Sequence, residues 1–147
     1  MPHSYTNVLL HYAFSTRERR KCIRTEWLPE IWAYMAGVGK NHDIPILKIG
    51  GMEDHAHVLL ALPGTMTSAQ AIQTLKANTS RWLRERISDF EWQQGYGVFS
   101  VSASLASTVK KYIETQAEHH KKRTFEEEFL TLLKKCGVPY DPNFVFG

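Results

Sequence analysis

Residues 46–62 read Ile-Leu-Lys-Ile-Gly-Gly-Met-Glu-Asp-His-Ala-His-Val-Leu-Leu-Ala-Leu. Two short apolar runs flank a glycine-bearing stretch, and Pro63-Gly64 stops the second run. The pattern predicts a strand over 46–50, a tight hairpin connection over 50–54 and a strand over 55–62. Working outward, Trp27, Ile31, Tyr34, Met35 and Val38 recur at helical spacing between 26 and 41, with Pro29 in the first turn. Before them, residues 5–14 are short, aromatic and aliphatic, and read as a buried strand, followed by a basic loop over 15–24.

Downstream, Thr67-Ser-Ala-Gln70 is a capping box, and Ala71, Leu75, Thr79, Trp82 and Leu83 continue one apolar face to about Ile87. A polar loop over 89–94 carries Phe90 and Trp92 as exposed aromatics. Residues 96–102 alternate as a strand, and 105–120 follow a helical period. A second capping box, Thr124-Phe-Glu-Glu127, opens a helix that closes at Gly137, leaving a short aromatic tail over 138–147 expected to pack on the body or a partner. The order β-α-β-β-α-β-α-α predicts an α+β fold. Its first six elements match the ferredoxin-like split βαβ arrangement, an antiparallel four-stranded sheet with two helices on one face. The other face is left for the last helices or a ligand.

A length of 147 residues, without repeat, linker or low-complexity tract, predicts a single domain over 1–147. The 43% hydrophobic and 22% charged content excludes a disordered chain. No apolar run approaches the roughly 18–20 residues that span a bilayer, so no membrane partner is expected. The first residues, Met-Pro-His-Ser-Tyr-Thr, lack the pattern of a secretory signal. Cys22 and Cys136 stand alone, which suits free thiols in a reducing cytoplasm and excludes a cysteine-rich zinc site. Net charge is only +3, but Arg17, Arg19, Arg20, Lys21 and Arg24 cluster, as do Arg81, Arg84 and Arg86, and Lys121, Lys122 and Arg123 are consecutive. Local basic clusters on a nearly balanced chain suit phosphate contact; solvated helix ends are the plainer alternative.

His55 and His57, two apart on a strand, project from one face. Two neutral imidazoles so held make half of a metal site, or else a polar pair on a half-solvated strand. Burial within an apolar strand favours the first, because an unpaired buried polar group is costly. Asp54 could orient a histidine or steady the hairpin. Tyr112 and Gln116 lie one helical turn apart on one face. Tyr112 could be a core residue, but Lys110, Lys111, His119 and His120 make this stretch polar and basic. The Gln116 carbonyl could be a third ligand beside the two histidines, and His120, one turn further on, is the alternative.

Asp54-His-Ala-His57 on a central strand with Tyr112-x-x-x-Gln116 on a later helix resembles the single-tyrosine HUH transposases of the insertion-sequence 200/605 family, over almost the whole chain. Ala56 departs mildly from the usual bulky middle residue, and 124–147 is less characteristic, so no role passes to it. The resemblance implies that His55, His57 and Gln116 bind a divalent cation, Mg²⁺ or Mn²⁺. It implies further that Tyr112 attacks single-stranded DNA to give a 5′-phosphotyrosine and a free 3′-hydroxyl. It also implies a homodimer sharing its active sites, and DNA hairpins as partners. Arg81, Arg84, Lys110, Lys111, Lys121, Lys122 and Arg123 are candidate phosphate contacts, with Phe90 and Trp92 as stacking platforms. Two other readings stay open. One is a domesticated relative cutting genomic repeat hairpins; the other is a non-catalytic single-strand binding module of the RNA-recognition type.

Overall fold

The protein is described by a computed structural model covering residues 4–146; residues 1–3 and 147, the ends of the expected domain and tail, lie outside the described residues. Strands β1 (Leu9–Ser15), β2 (Ile46–Met52), β3 (His55–Ala61) and β4 (Gly97–Val101) form one sheet in the order β2-β3-β1-β4. Every neighbouring pair is antiparallel. Helices α1 (Leu28–Asn41) and α2 (Ser68–Leu83) supply the two crossovers, so the split βαβ expectation holds. The hairpin is tighter than 50–54: β2 runs through Gly50 and Gly51 to Met52, and only Glu53 and Asp54 turn.

Period-two alternation divides the strands between the two faces. Leu10, Tyr12, Phe14, Ala56, Val58 and Leu60 point to α1 and α2 and fill the main core with Ile31, Met35, Ile72 and Leu75. The opposite face carries α3 (Ala106–Glu114), α4 (Gln116–His119) and α5 (Phe125–Lys135). There Leu9, Leu59 and Ile113 form one small apolar cluster, and Ala13, Phe99, Phe125, Phe129 and Leu133 another. Tyr140, Val145 and Phe146 of the tail pack on the second, as expected of an aromatic tail.

Three boundaries differ from the sequence reading. β1 starts at Leu9 rather than residue 5, because its partner β3 ends at Ala61, opposite Leu9. α2 ends at Leu83, and the chain turns there to carry Phe90 back under the helix. The single helix over 105–120 breaks at Thr115 (φ −100, ψ 29) into α3 and α4. The Thr115 hydroxyl bonds the Lys111 carbonyl at 2.9 Å, where such back-bonding competes with helical continuation. Phe90 is fully buried and Trp92 nearly so, its indole N–H donating to Thr79 Oγ1 at 3.0 Å. Both aromatics belong to the core, which corrects their reading as exposed stacking platforms.

Candidate metal and nucleophile site

The odd positions of β1 and β3 place His11, His55 and His57 side by side under α3, α4 and α5, all buried. α3 reaches them because it lies directly on β2 at Gly50, where a Cβ would overlap the Ile113 carbonyl. That close approach sets Tyr112 against the histidines, its ring centroid 5.7 Å from His57. The break at Thr115 then re-aims the chain so that Gln116 and His120 both face His55.

Glu128 of α5 stands at the centre of the cluster, fully buried. Its Oε1 accepts from His57 Nε2 at 2.9 Å and His120 Nε2 at 3.3 Å, and lies 3.6 Å from His55 Nε2. Its Oε2 accepts from the Gln116 amide nitrogen at 3.1 Å and from the Tyr112 hydroxyl. His55, His57 and Glu128 each offer a ligand atom within 4.8 Å of the others. On the far sides of the rings, His55 Nδ1 donates to Asp54 at 2.7 Å, and His57 Nδ1 meets His11 Nε2 at 2.8 Å.

Proton placement follows from these partners. With Nδ1–H of His55 bonded to Asp54, Nε2 of the neutral ring carries a lone pair. That lone pair faces Gln116 Oε1 at 2.9 Å, and the amide orientation is set by its N–H donation to Glu128. Two acceptors therefore face each other, which is repulsive unless a cation or a shared proton lies between them. His57 Nε2 and Glu128 Oε1 border the same spot. Two imidazoles, one amide oxygen and one carboxylate make a donor set that fits a divalent ion with mixed nitrogen and oxygen preferences. The His11–His57 contact allows it: whichever ring nitrogen of His57 holds the proton, His11 Nε2 can donate or accept in turn.

Burial would raise the Glu128 carboxyl, but hydrogen bonds from His120, His57 and Tyr112 hold it well below the carboxylate range. Burial lowers His57, and Glu128 opposes this only in part, so His57 is neutral. Burial and the neighbouring His57 push His11 down to about 3, so it too is neutral. His120 goes the other way: burial lowers it, but Glu128 and Asp54 outweigh that and raise it. Burial, with the Glu128 charge and hydrogen bond, drives the Tyr112 phenol above its ordinary value, while Gln116 and Arg123 pull it back slightly.

The structure thus brings His55, His57, Gln116 and Tyr112 together with both the Asp54 and His120 alternatives. Among the candidate phosphate contacts, Lys121, Lys122 and Arg123 line a cleft of about 560 Å³ with Arg19 and Lys21, bounded by Asp54 and His120. Lys110 and Lys111 lie on α3 beside Tyr112, whereas Arg81 and Arg84 sit at the far end of α2, whose packing is on the other face of the sheet. Sequence reasoning missed Glu128 and His11. Each had a visible signal: Glu128 falls on the apolar stripe of Phe125, Phe129 and Leu132, and His11 interrupts an apolar strand.

Residues 4–116 match the sequence model of the IS200-like transposases. The chain is 26% identical over 129 residues to the transposases of insertion sequence element IS200 from Salmonella typhimurium and Salmonella typhi, covering 82% of this chain and 84% of theirs. In shape it resembles a crystal structure assigned to a transposase from Deinococcus radiodurans (TM-score 0.63, 17% identity, 79% of this chain and 95% of that one). It also resembles a REP-associated tyrosine transposase bound to a REP hairpin (TM-score 0.59, 13% identity, 82% and 73%). With most of its length matched by the family model, and a histidine pair facing a helix-borne tyrosine, this chain belongs to the IS200-like transposase family.

Proposed function

We propose that the protein cleaves and rejoins single-stranded DNA through a covalent bond to Tyr112, with His55, His57, Gln116 and Glu128 holding a divalent cation, Mg²⁺ or Mn²⁺. The observation that carries this reading is the pair of facing acceptors, His55 Nε2 and Gln116 Oε1, bordered by His57 and Glu128 beside a tyrosine hydroxyl. When bound, the cation supplies positive charge to a scissile phosphate and offsets the charge of Glu128. Asp54 and His11 fix the two imidazoles from behind. The Tyr112 oxygen attacks phosphorus, forming the O–P bond as the P–O3′ bond breaks, which leaves a 5′-phosphotyrosine and a 3′-hydroxyl. Its proton has an acceptor already in place at Glu128 Oε2. The phosphoester keeps the energy of the broken bond, so rejoining to another 3′ end needs no nucleotide cofactor.

The cleft beside Asp54 and His120, where Lys21, Lys121, Lys122 and Arg123 share the wall with Glu53, Glu126 and Glu127, offers cations to the phosphates that flank the cut. The resemblance supports a hairpin as the recognised element, and the structurally similar REP-associated transposase is one that binds a REP hairpin. Tyr112 reaches Glu128 of its own chain, which supports a site complete within one subunit even if two chains associate. Incubation with labelled single-stranded hairpin DNA and Mn²⁺ or Mg²⁺ should give a covalent protein–DNA band on a denaturing gel. The band is lost with Tyr112→Phe and with chelator; a band surviving either sinks the proposal. Mixing Tyr112→Phe with His57→Ala tests the subunit arrangement, since adduct recovered in the mixture means that a homodimer shares its sites.

A further inference from the structure

On the other face of the sheet, α2 and the 91–96 loop border an open cavity of about 470 Å³, lined by Gln73, Lys76, Arg84, Gln93, Gln94 and Tyr96 among others. Lys76 is half-buried here. Its ammonium donates to the carbonyls of Gln93 at 2.7 Å and Gly95 at 3.0 Å, and stands over the rings of Phe14 and Tyr96 at 5.4 and 5.9 Å. No carboxylate pairs with it among the described residues, and burial pulls its pKa down to about 8. A lysine ammonium has three donors, and two are used. Arg84, two turns along the same stripe, spends only Nε, on the Phe90 carbonyl at 3.1 Å. Glu91, the one acid on the cavity wall, is bonded to Arg17 at 3.2 Å.

Two cations without a counter-charge, the amides of Gln73 and Gln94, the amide nitrogen of Gln93 (its oxygen accepts from the Ser15 backbone N–H at 2.6 Å) and one accessible aromatic edge form a combination that matches a nucleotide. The cations suit the phosphate, and the amides and ring suit the base. We infer that this cavity binds one unpaired nucleotide of the single-stranded DNA substrate, its phosphate between Lys76 and Arg84 and its base among Gln73, Gln93, Gln94 and Tyr96. The inference rests on the proposed single-strand substrate. It places a second grip on the DNA on the opposite side of the sheet from Tyr112.

Ala77 is exposed on the cavity wall, so a charge can be added there without disturbing buried atoms. Fluorescence anisotropy of labelled oligothymidine should show Ala77→Glu weakening binding by about threefold to tenfold and Ala77→Lys tightening it, the sign expected for a phosphate contact. The same exchanges at Ala33, exposed on α1, should leave affinity within about twofold, the size of a non-specific charge effect. Equal affinities for the two Ala77 variants, or an equal split at Ala33, overturn the site. The base is tested with an all-abasic strand of the same length. Wild type should prefer oligothymidine to it and Tyr96→Ala should lose that preference; an unchanged preference overturns the base contacts. A protein that splits at Ala77 yet forms no adduct sinks the cleavage reading and keeps the cavity. Adduct formation with indistinguishable Ala77 variants does the reverse.

Discussion

The two faces of the sheet are built from the same strands and have opposite characters. Along β1 and β3, Leu10, Tyr12, Phe14, Ala56, Val58 and Leu60 enter a dry core under two long helices. The residues between them include His11, His55 and His57, which enter a hydrogen-bonded polar cluster under three short helices. One face spends its burial on apolar area, which stabilises the fold. The other buries charge and imidazole, which costs desolvation and is offset by polar partners at Asp54, His11, Gln116 and Glu128. A one-residue slip of β3 would exchange the two faces and destroy both.

The largest expected effect comes from the polar face. His57→Ala should abolish the covalent DNA adduct and weaken Mn²⁺ binding in calorimetry, while circular dichroism still shows the fold. Retained metal affinity would remove His57 from the ligand set. Next, Leu60→Ala on the apolar face should cost about 2–5 kcal/mol in urea unfolding, leaving adduct formation by the folded fraction unchanged. A drop in adduct per folded molecule would show that the faces are not separable.

The pH dependence of stability in metal-free protein separates the faces further. Glu128 is held below its ordinary pKa, so its contribution is present above about 4.5 and fades as the pH falls below that value. His120 is raised, so its contribution is present below 6.5 and is lost as the pH climbs through its folded value. Glu128→Gln should therefore flatten the stability profile on both sides, measured as Tm across the pH range. An unaltered profile would mean that other groups carry it. The smallest effect compares the two capping boxes. Thr67→Ala and Thr124→Ala should each cost about 1 kcal/mol of stability. Only Thr124→Ala, which loosens the helix bearing Glu128, should also weaken Mn²⁺ binding.

The legible parts of the molecule were those with short-range grammar. Both capping boxes, the hairpin between β2 and β3 and the i, i+2 histidines follow from local geometry. So does the one-turn spacing of Tyr112 and Gln116, which survives although the helix breaks between them at Thr115. Glu128 and His11 were not legible in the same way. Glu128 belongs to a helix whose docking depends on Phe125 and Phe129 meeting Ala13 and Phe99 across the sheet. Its burial is a property of tertiary packing, and an acidic residue in a Glu-Glu-Glu run reads locally as a solvated first turn. Phe90 and Trp92 failed for the converse reason: a polar loop folds back under α2, and the loop's composition carries no trace of that return.

The seating of Glu128 makes α5 more than a cover. If the carboxylate contributes to cation binding, the cation's affinity includes the work of holding α5 down, and α5 gains the same amount of docking energy when the ion arrives. Whatever grips the outer surface of α5 or the Phe146 tail, which Arg19 clamps at 4.8 Å, then adjusts ion occupancy without touching a ligand. Reciprocity runs the other way as well: filling the ion site should slow amide exchange along α5, far from the strand that bears the two histidines.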